Sequence, residues 1–291
     1  MISGVTLGLL AALAWGLADY LAQPASRHLG AVRASLAAQA FGAAALLVAL
    51  WLRRDLPFPA DGAAWAWALG AAVLGTVGAL AFYEALRVGT LAIIAPITGS
   101  YGAVTALLAW LGGQHLGPLG VLGLIVALLA VVLVSGAGPD ASRTAAGLGR
   151  ARGVGWAVLS AAALGACFWV MGFGLMPRLG GLPGTWAMRL CSLGLTALTL
   201  LLLRPSRPAA RPTSGWPGLR YAAASGVLST AAVAFTALGL GRGQDAVVTV
   251  LGSLSVVITT VLALAVGRER LSSPQWAGVV LAVAGILLTG L

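Results

Sequence analysis

Apolar residues in this chain fall into ten runs, roughly 4–23, 32–52, 64–86, 91–111, 118–136, 153–174, 183–203, 218–240, 245–266 and 274–291. Each is close to the ~20 residues that an α-helix needs to cross the ~30 Å hydrocarbon of a bilayer. A single soluble core would leave polar outer faces along the runs, and these runs lack them. The pattern predicts an all-α integral membrane protein with ten transmembrane helices. Most connections are short. Two are longer and polar, Gly138 to Arg152 and Arg204 to Pro217, the second reading RPSRPAARPTSGWP. Proline breaks helices and cannot donate a backbone hydrogen bond, so that stretch belongs outside the hydrocarbon. Trp51, Trp65, Trp67, Trp216 and Trp276 lie near run ends, where interfacial anchors are expected.

The runs also repeat. Gly4, Gly8, Ala12 and Gly16 make a smooth face on the first, and Gly153, Ala157, Ala161 and Gly165 make the same face 149 positions later. VALLAVVLVSG at 126–136 parallels LAVAGILLTG at 281–290, and Gly99-Ser100 parallels Gly252-Ser253. Small faces let helices approach closely in lipid, where packing rather than hydrophobicity drives association. The repeat divides the chain into residues 1–138, a polar linker at 139–152, and residues 153–291. Five helices per half is an odd number, so the second half enters the membrane inverted. Inverted repeats around a central cavity are the architecture of many secondary transporters, with the substrate near the midplane.

Composition sharpens this picture. Of 291 residues, 60% are hydrophobic and 8% charged, against roughly 25% charged in a soluble domain. The net charge of +10 comes from 17 arginines and no lysine. The arginines sit between apolar runs, which suits contact with lipid headgroups and not nucleic acid. Cys167 and Cys191 read as small hydrophobes inside helices. His28 and His115 are the only histidines, too few for a metal centre, and no metal or other cofactor is expected. The first run carries Asp19 and lacks a basic leader, so it reads as a retained helix. No GxxxxGK[ST] is present, which leaves no direct ATP drive.

GRERLSSPQWAGVVLAVAGILLTG at 267–290 resembles the end of an EamA-type repeat of the drug/metabolite transporter superfamily, and GGQHLGPLGVLGLIVALLAVVLVSG at 112–136 is its weaker counterpart. FYEALRVGTLAIIAPITGSYGAVTALLAWL at 82–111 resembles that family's third and fourth helices. AWGLADYLAQPASRHLG at 14–30 resembles the opening of a prokaryotic branch. The resemblance implies two inverted five-helix halves, a prokaryotic cytoplasmic membrane, both termini in the cytoplasm, and a small solute such as an amino acid, metabolite, amine or drug. That orientation leaves Arg53, Arg54, Arg178, Arg189 and Arg242 inside, five of 17 basic residues. The other twelve (Arg27, Arg33, Arg87, Arg143, Arg150, Arg152, Arg204, Arg207, Arg211, Arg220, Arg268, Arg270) fall outside. The positive-inside rule therefore favours the opposite orientation.

Several residues carry candidate chemistry. Asp19, beside Tyr20, is an acid at membrane depth, where ionisable groups mark ion or substrate pathways; the plainer reading pairs it with Arg27 or Arg33. Phe168 and Trp169 occupy the matching places in the second half. Glu84 is a second carboxylate, with Arg87 in reach on the same face as a local partner. Arg189 matches Gln39 at an offset of 150; it either snorkels to the surface or binds an anionic group of the cargo. Gln39 is an interhelical donor or a ligand. Pro96 interrupts the fourth run and frees a carbonyl, whereas Thr249 stands near that place in the ninth. Trp15, Tyr83, Tyr101, Trp169 and Phe235 line a cavity or pack between helices; around Asp19 they would attract a cationic or aromatic solute. Glu269 reads as structural, and Ser272, Pro274 and Gln275 as the start of the last helix.

The sequence thus points to a secondary transporter of a small organic solute, with protons as the candidate coupling ion and lipids as neighbours. A membrane scaffold is the alternative. An intramembrane enzyme would need a nucleophile–base pair or metal cluster that the sequence does not offer. Oligomeric state is left open.

Overall fold

The computed structural model describes residues 4–54, 62–113, 117–135, 145–202, 215–240, 251–252 and 254–289. His115, Arg143, Arg204, Arg207, Arg211, Arg242, Thr249, Ser253, most of both polar connections and the start of the ninth run lie outside the described residues, as do the side chains of Arg150 and Arg152.

No strand occurs among the described residues. The helices are α1 (Gly4–Leu29), α2 (Ala31–Leu52), α3 (Gly62–Val88), α4 (Leu91–Gly99), α5 (Tyr101–Leu111), α6 (Pro118–Ser135), α7 (Ala145–Val170), α8 (Met176–Leu179), α9 (Gly181–Leu202), α10 (Gly215–Leu240), α11 (Ser255–Ala265) and α12 (Ser273–Thr289). Six stretches are long and apolar enough to cross a membrane: Gly4–Leu29, Ala31–Leu52, Gly62–Val88, Leu91–Leu111, Gly153–Leu179 and Gly181–Leu202. Pro118–Ala130 and Ser255–Ala265 are shorter apolar helices.

Local chemistry explains where these elements depart from the hydrophobic runs. The first run was expected to stop near 23, but α1 continues through Pro24 to Leu29; membrane helices tolerate proline because neighbours satisfy the freed backbone group. The fourth run is two helices. Pro96 has no N–H for Ala92, and the chain turns at Ser100, whose N–H and hydroxyl both donate to the Ile97 carbonyl, at 3.2 and 2.6 Å. α7 starts at Ala145, inside the stretch read as linker, and one π-turn at Met171–Leu175 joins it to α8. Pro177, two residues further on, lacks the N–H that a regular turn would need.

The repeat is visible in backbone conformation. Gly30 alone links α1 to α2 at φ 79°, and Gly180 alone links α8 to α9 at φ 78°. Both sit in the left-handed region that favours glycine, at the offset of 150 noted for Gln39 and Arg189.

The two halves interlock. α1 packs most extensively on α10, α7 on α3, and α6 on α12. The first helix of each half therefore lies against the third of the other. α2 meets α9 antiparallel: Gln39 reaches Thr196, while Leu46 and Leu50 pack with Leu182 and Trp186. A second helix that opposes its own counterpart is what an inverted repeat requires.

Both predicted small faces are buried: Gly4, Gly8, Ala12 and Gly16 on α1, Gly153, Ala157, Ala161 and Gly165 on α7. They serve one purpose in each half. Thr259 Oγ1 in α11, which donates to the Ser255 carbonyl of its own helix at 2.9 Å, lies 3.3 Å from the Gly16 carbonyl, and Thr105 Oγ1 in α5 lies 3.0 Å from the Gly165 carbonyl and 3.1 Å from that of Tyr101. A Cβ on Gly165 would come within 2.7 Å of the Tyr101 carbonyl oxygen.

At one end Glu269 joins the halves. Its carboxylate accepts the Leu91 and Ala92 N–H groups at 3.0 and 2.7 Å, and the Gln23 amide approaches at 3.4 Å. Those N–H groups open α4 and have no partner within it. Arg268, at φ 53°, turns the loop that presents Glu269. Glu269 is thus structural, as its sequence context predicts, and it caps a helix of the opposite half. The last helix starts as expected, with the Ser272 N–H on Gln275 Oε1 at 2.9 Å. Trp51, Trp216 and Trp276 face outward, whereas Trp65 and Trp67 pack with Cys167 and Met171 in a buried cluster. Cys167 behaves as a buried small residue, its thiol donating to the Ala71 carbonyl at 3.2 Å.

Two stability predictions follow from this packing. Gly165→Ala should lower the melting temperature in detergent, by about 1–3 kcal/mol of overpacking, while Gly155→Ala, with nothing within 4 Å, should be neutral or stabilising through helix propensity. Glu269→Ala should cost about 1–2 kcal/mol, as loss of a helix cap does, and Glu269→Gln less, since the amide oxygen still accepts.

Candidate functional site

Asp19 lies three residues beyond Gly16, so the close α1–α11 crossing fixes its position. Its own turn is pinned from the other half, where Ser225 Oγ in α10 donates to the Ala18 carbonyl at 2.8 Å. The Asp19 side chain is half-buried. Among the described residues it makes no ion pair or hydrogen bond; the single ion pair there is Arg87–Glu84. Pairing with Arg27 does not occur, because Arg27 Nη2 donates to the Gly89 carbonyl at 3.0 Å.

Three further candidates converge here. Tyr83, buried in α3, lies near Ser225 of α10 and in the electrostatic field of both Asp19 and Arg189. Tyr101, placed at the first position of α5 by the break at Ser100, also lies in the field of Asp19. Its ring stacks on Phe168, centroids 5.0 Å apart. Arg189 comes from α9. Its guanidinium does not snorkel outward but lies between α2 and α10, with Nη2 donating to Ser229 Oγ at 3.1 Å and Nη1 in the notch left by Gly42. No carboxylate lies within ion-pair distance of it among the described residues.

Gln39 borders this region. Its amide nitrogen donates to Ser35 and Thr196, 3.0 Å each, while Oε1 is buried without a partner among the described residues. The site thus gathers Asp19, Tyr83, Tyr101 and Arg189 from four helices and both halves, with Gln39 at its edge. An acid beside phenols suits a cationic group, and a guanidinium suits an anionic one.

The other candidates lie elsewhere. Glu84 accepts from Arg87 Nε at 2.8 Å, the local pair that the sequence favoured. Tyr20 points away from Asp19 into a pocket at the end of α1. Trp169 stacks on Phe173 at 5.4 Å, in an aromatic group with Trp67, over which Arg178 sits at 5.6 Å. Pro96 is fully buried in the core of α4. Trp15 is half-buried on α1 without a contact that brings it to Asp19. Ser225, Ser229 and Gly42 were not anticipated, because small polar residues and glycines are common throughout these helices and carry no distinguishing spacing. Among the described residues no group of three potential metal ligands occurs.

Comparison with known proteins follows the same division into halves. The profile of the EamA-like transporter family matches residues 2–136 and again residues 151–291. No curated protein matches the chain. Of the solved structures, 15 chains match. One, described only as "Crystal structure of protein", aligns with a TM-score of 0.64 at 19% identity, over 99% of this chain and 96% of the other. That likeness speaks for the fold. The family profile, matched once in each half, shows that this chain belongs to the EamA-like transporter family.

Proposed function

We propose that the chain is a secondary transporter working by alternating access, in which ten membrane crossings form two inverted five-helix halves, residues 1–138 and 153–291 around a linker at 139–152, with the solute bound between them. Family membership supports transport of a small solute. The observation that carries the site is Asp19: a carboxylate with no ion pair or hydrogen bond among the described residues, near tyrosines from α3 and α5, the first of which also lies near Arg189 of the other half. Ionisable groups at membrane depth are costly and are kept where they act.

Asp19 with Tyr83 and Tyr101 offers a seat for an amine, through charge and cation–π contact. Arg189 offers a fixed donor fork to a carboxylate or other anion. Because they stand on opposite halves, a solute that engages both draws the halves together. That contact would give the solute the differential affinity for a closed state which alternating access needs. A proton on Asp19 is the simplest counter-ion, since the same carboxylate cannot hold the amine and the proton together.

The test is transport in proteoliposomes, with a thermal-shift screen of amines, amino acids, sugars and aromatic drugs to find the cargo. Bound solute at about 100 times its dissociation constant should add roughly 2.7 kcal/mol of stability. Asp19→Asn and Arg189→Gln should each weaken binding about tenfold or more, as loss of a charged hydrogen bond does. Asp19→Asn should also abolish the dependence of transport on a proton gradient. Transport and pH dependence unchanged in Asp19→Asn would remove both the site and the coupling, leaving a carrier with its site elsewhere.

A further inference from the structure

A second polar site lies apart from Asp19, at the seam between α1 and α10. The last turns of α1 and the start of α10 enclose a pocket of about 360 Å³. Arg27, His28, Gln23, Tyr20 and Tyr221 supply its polar wall, and Leu21 and Pro24 its apolar one. No acid lines it. Arg220, next to Tyr221, is exposed at the same end, since Gly218 packs on His28 and Leu29. The carboxylate beside Gln23, that of Glu269, has its oxygens taken by the N–H groups of α4. Arg27 Nη2 donates to the Gly89 carbonyl and the Gln23 amide oxygen, 3.0 Å each, which leaves the donors on the other guanidinium nitrogens.

The level of this pocket in the membrane follows from helix length. α1 has 26 residues, about 39 Å at 1.5 Å each, so its ends emerge from ~30 Å of hydrocarbon. Trp216, on the first turn of α10, faces outward as interfacial tryptophans do. The pocket therefore lies at headgroup depth. Below it, Leu21, Leu17 and Leu13 succeed one another along α1, with Leu13 facing outward. From Leu21 to Leu13 is about 12 Å, most of one leaflet's ~15 Å of hydrocarbon.

We infer that this seam binds one anionic phospholipid, its phosphate held by Arg27, Arg220 and the tyrosine hydroxyls, and an acyl chain laid on the Leu13–Leu21 face. A soluble phosphate would meet the same donors but has no use for the leucine face, which is why the ligand is a lipid. Bound there, it touches both halves and ties the α1–α10 seam.

The experiment uses the full chain in mild detergent, titrated with phosphatidylglycerol or phosphatidylcholine and followed by native mass spectrometry and melting temperature. Phosphatidylglycerol should bind saturably and raise the melting temperature; phosphatidylcholine should not. Arg27→Gln and Arg220→Gln should each weaken retention about fivefold, the worth of one basic residue at an anionic surface. Arg53→Gln, exposed at the far end of α2, should leave it unchanged. Should Arg27→Gln fail to fold for want of its bond to Gly89, His28→Gln with Arg220→Gln carries the same expected loss. Equal retention of both lipids, or retention unaltered by these substitutions, overturns the site. A full melting shift from soluble glycerol phosphate at the same concentration overturns the lipid as its ligand.

Discussion

The close approach of threonine to a glycine carbonyl, Thr259 to Gly16 and Thr105 to Gly165, marks the contact on which the rest of the structure depends. In lipid there is no hydrophobic gain from bringing two apolar helices together, so association needs close packing and hydrogen bonds between them. Glycine at the crossing removes the side chain that would hold the helices apart, and threonine from the other half then reaches an exposed backbone oxygen. The same arrangement is made twice, once with α1 on α11 and once with α7 on α5. Each crossing ties one half's first helix to the other half's fourth. Neither half could keep its form alone, since the buried faces of α1 and α7 are completed by the partner half.

That crossing also places the chemistry. Asp19 follows Gly16 by one turn, and Tyr101, whose carbonyl lies against Gly165, opens α5. The aspartate and the tyrosine beside it are therefore held by the two equivalent contacts. Their own equivalents are not polar in the same way. Phe168 replaces the acid in the second half and stacks on Tyr101, and Arg189 stands where the first half has Gln39. A symmetric frame thus carries an asymmetric site. One acid and one base stand on opposite halves without an ion pair between them.

The end that carries Glu269 shows a different use of the inverted design. α4 begins at Leu91 with the N–H groups of Leu91 and Ala92 lacking partners within the helix, and a carboxylate from the α11–α12 loop satisfies both. In hydrocarbon or near it such groups cannot be left to water. The cap is therefore both a local necessity and a fastening between halves.

Whatever rests on local composition and period was legible along the chain. Run length gave helices suited to a membrane, small residues at four-residue spacing gave the buried faces of α1 and α7, and the 149–150 offset gave the duplication, since each of these depends only on neighbours along the chain. The start of α12 and the Glu84–Arg87 pair were legible for the same reason, both lying within one helical turn. What tertiary structure alone decided is which distant side chains share a space. Tyr20 and Trp169 look as eligible as Tyr83 and Tyr101 in sequence, yet the first two face a lateral pocket and an aromatic cluster. Arg189 is turned inward by Gly42 and Ser229, and Glu269 is given its task by α4, 177 and 178 residues away. Helix rotation and crossing set these outcomes, and both depend on contacts between halves that no spacing along the chain encodes.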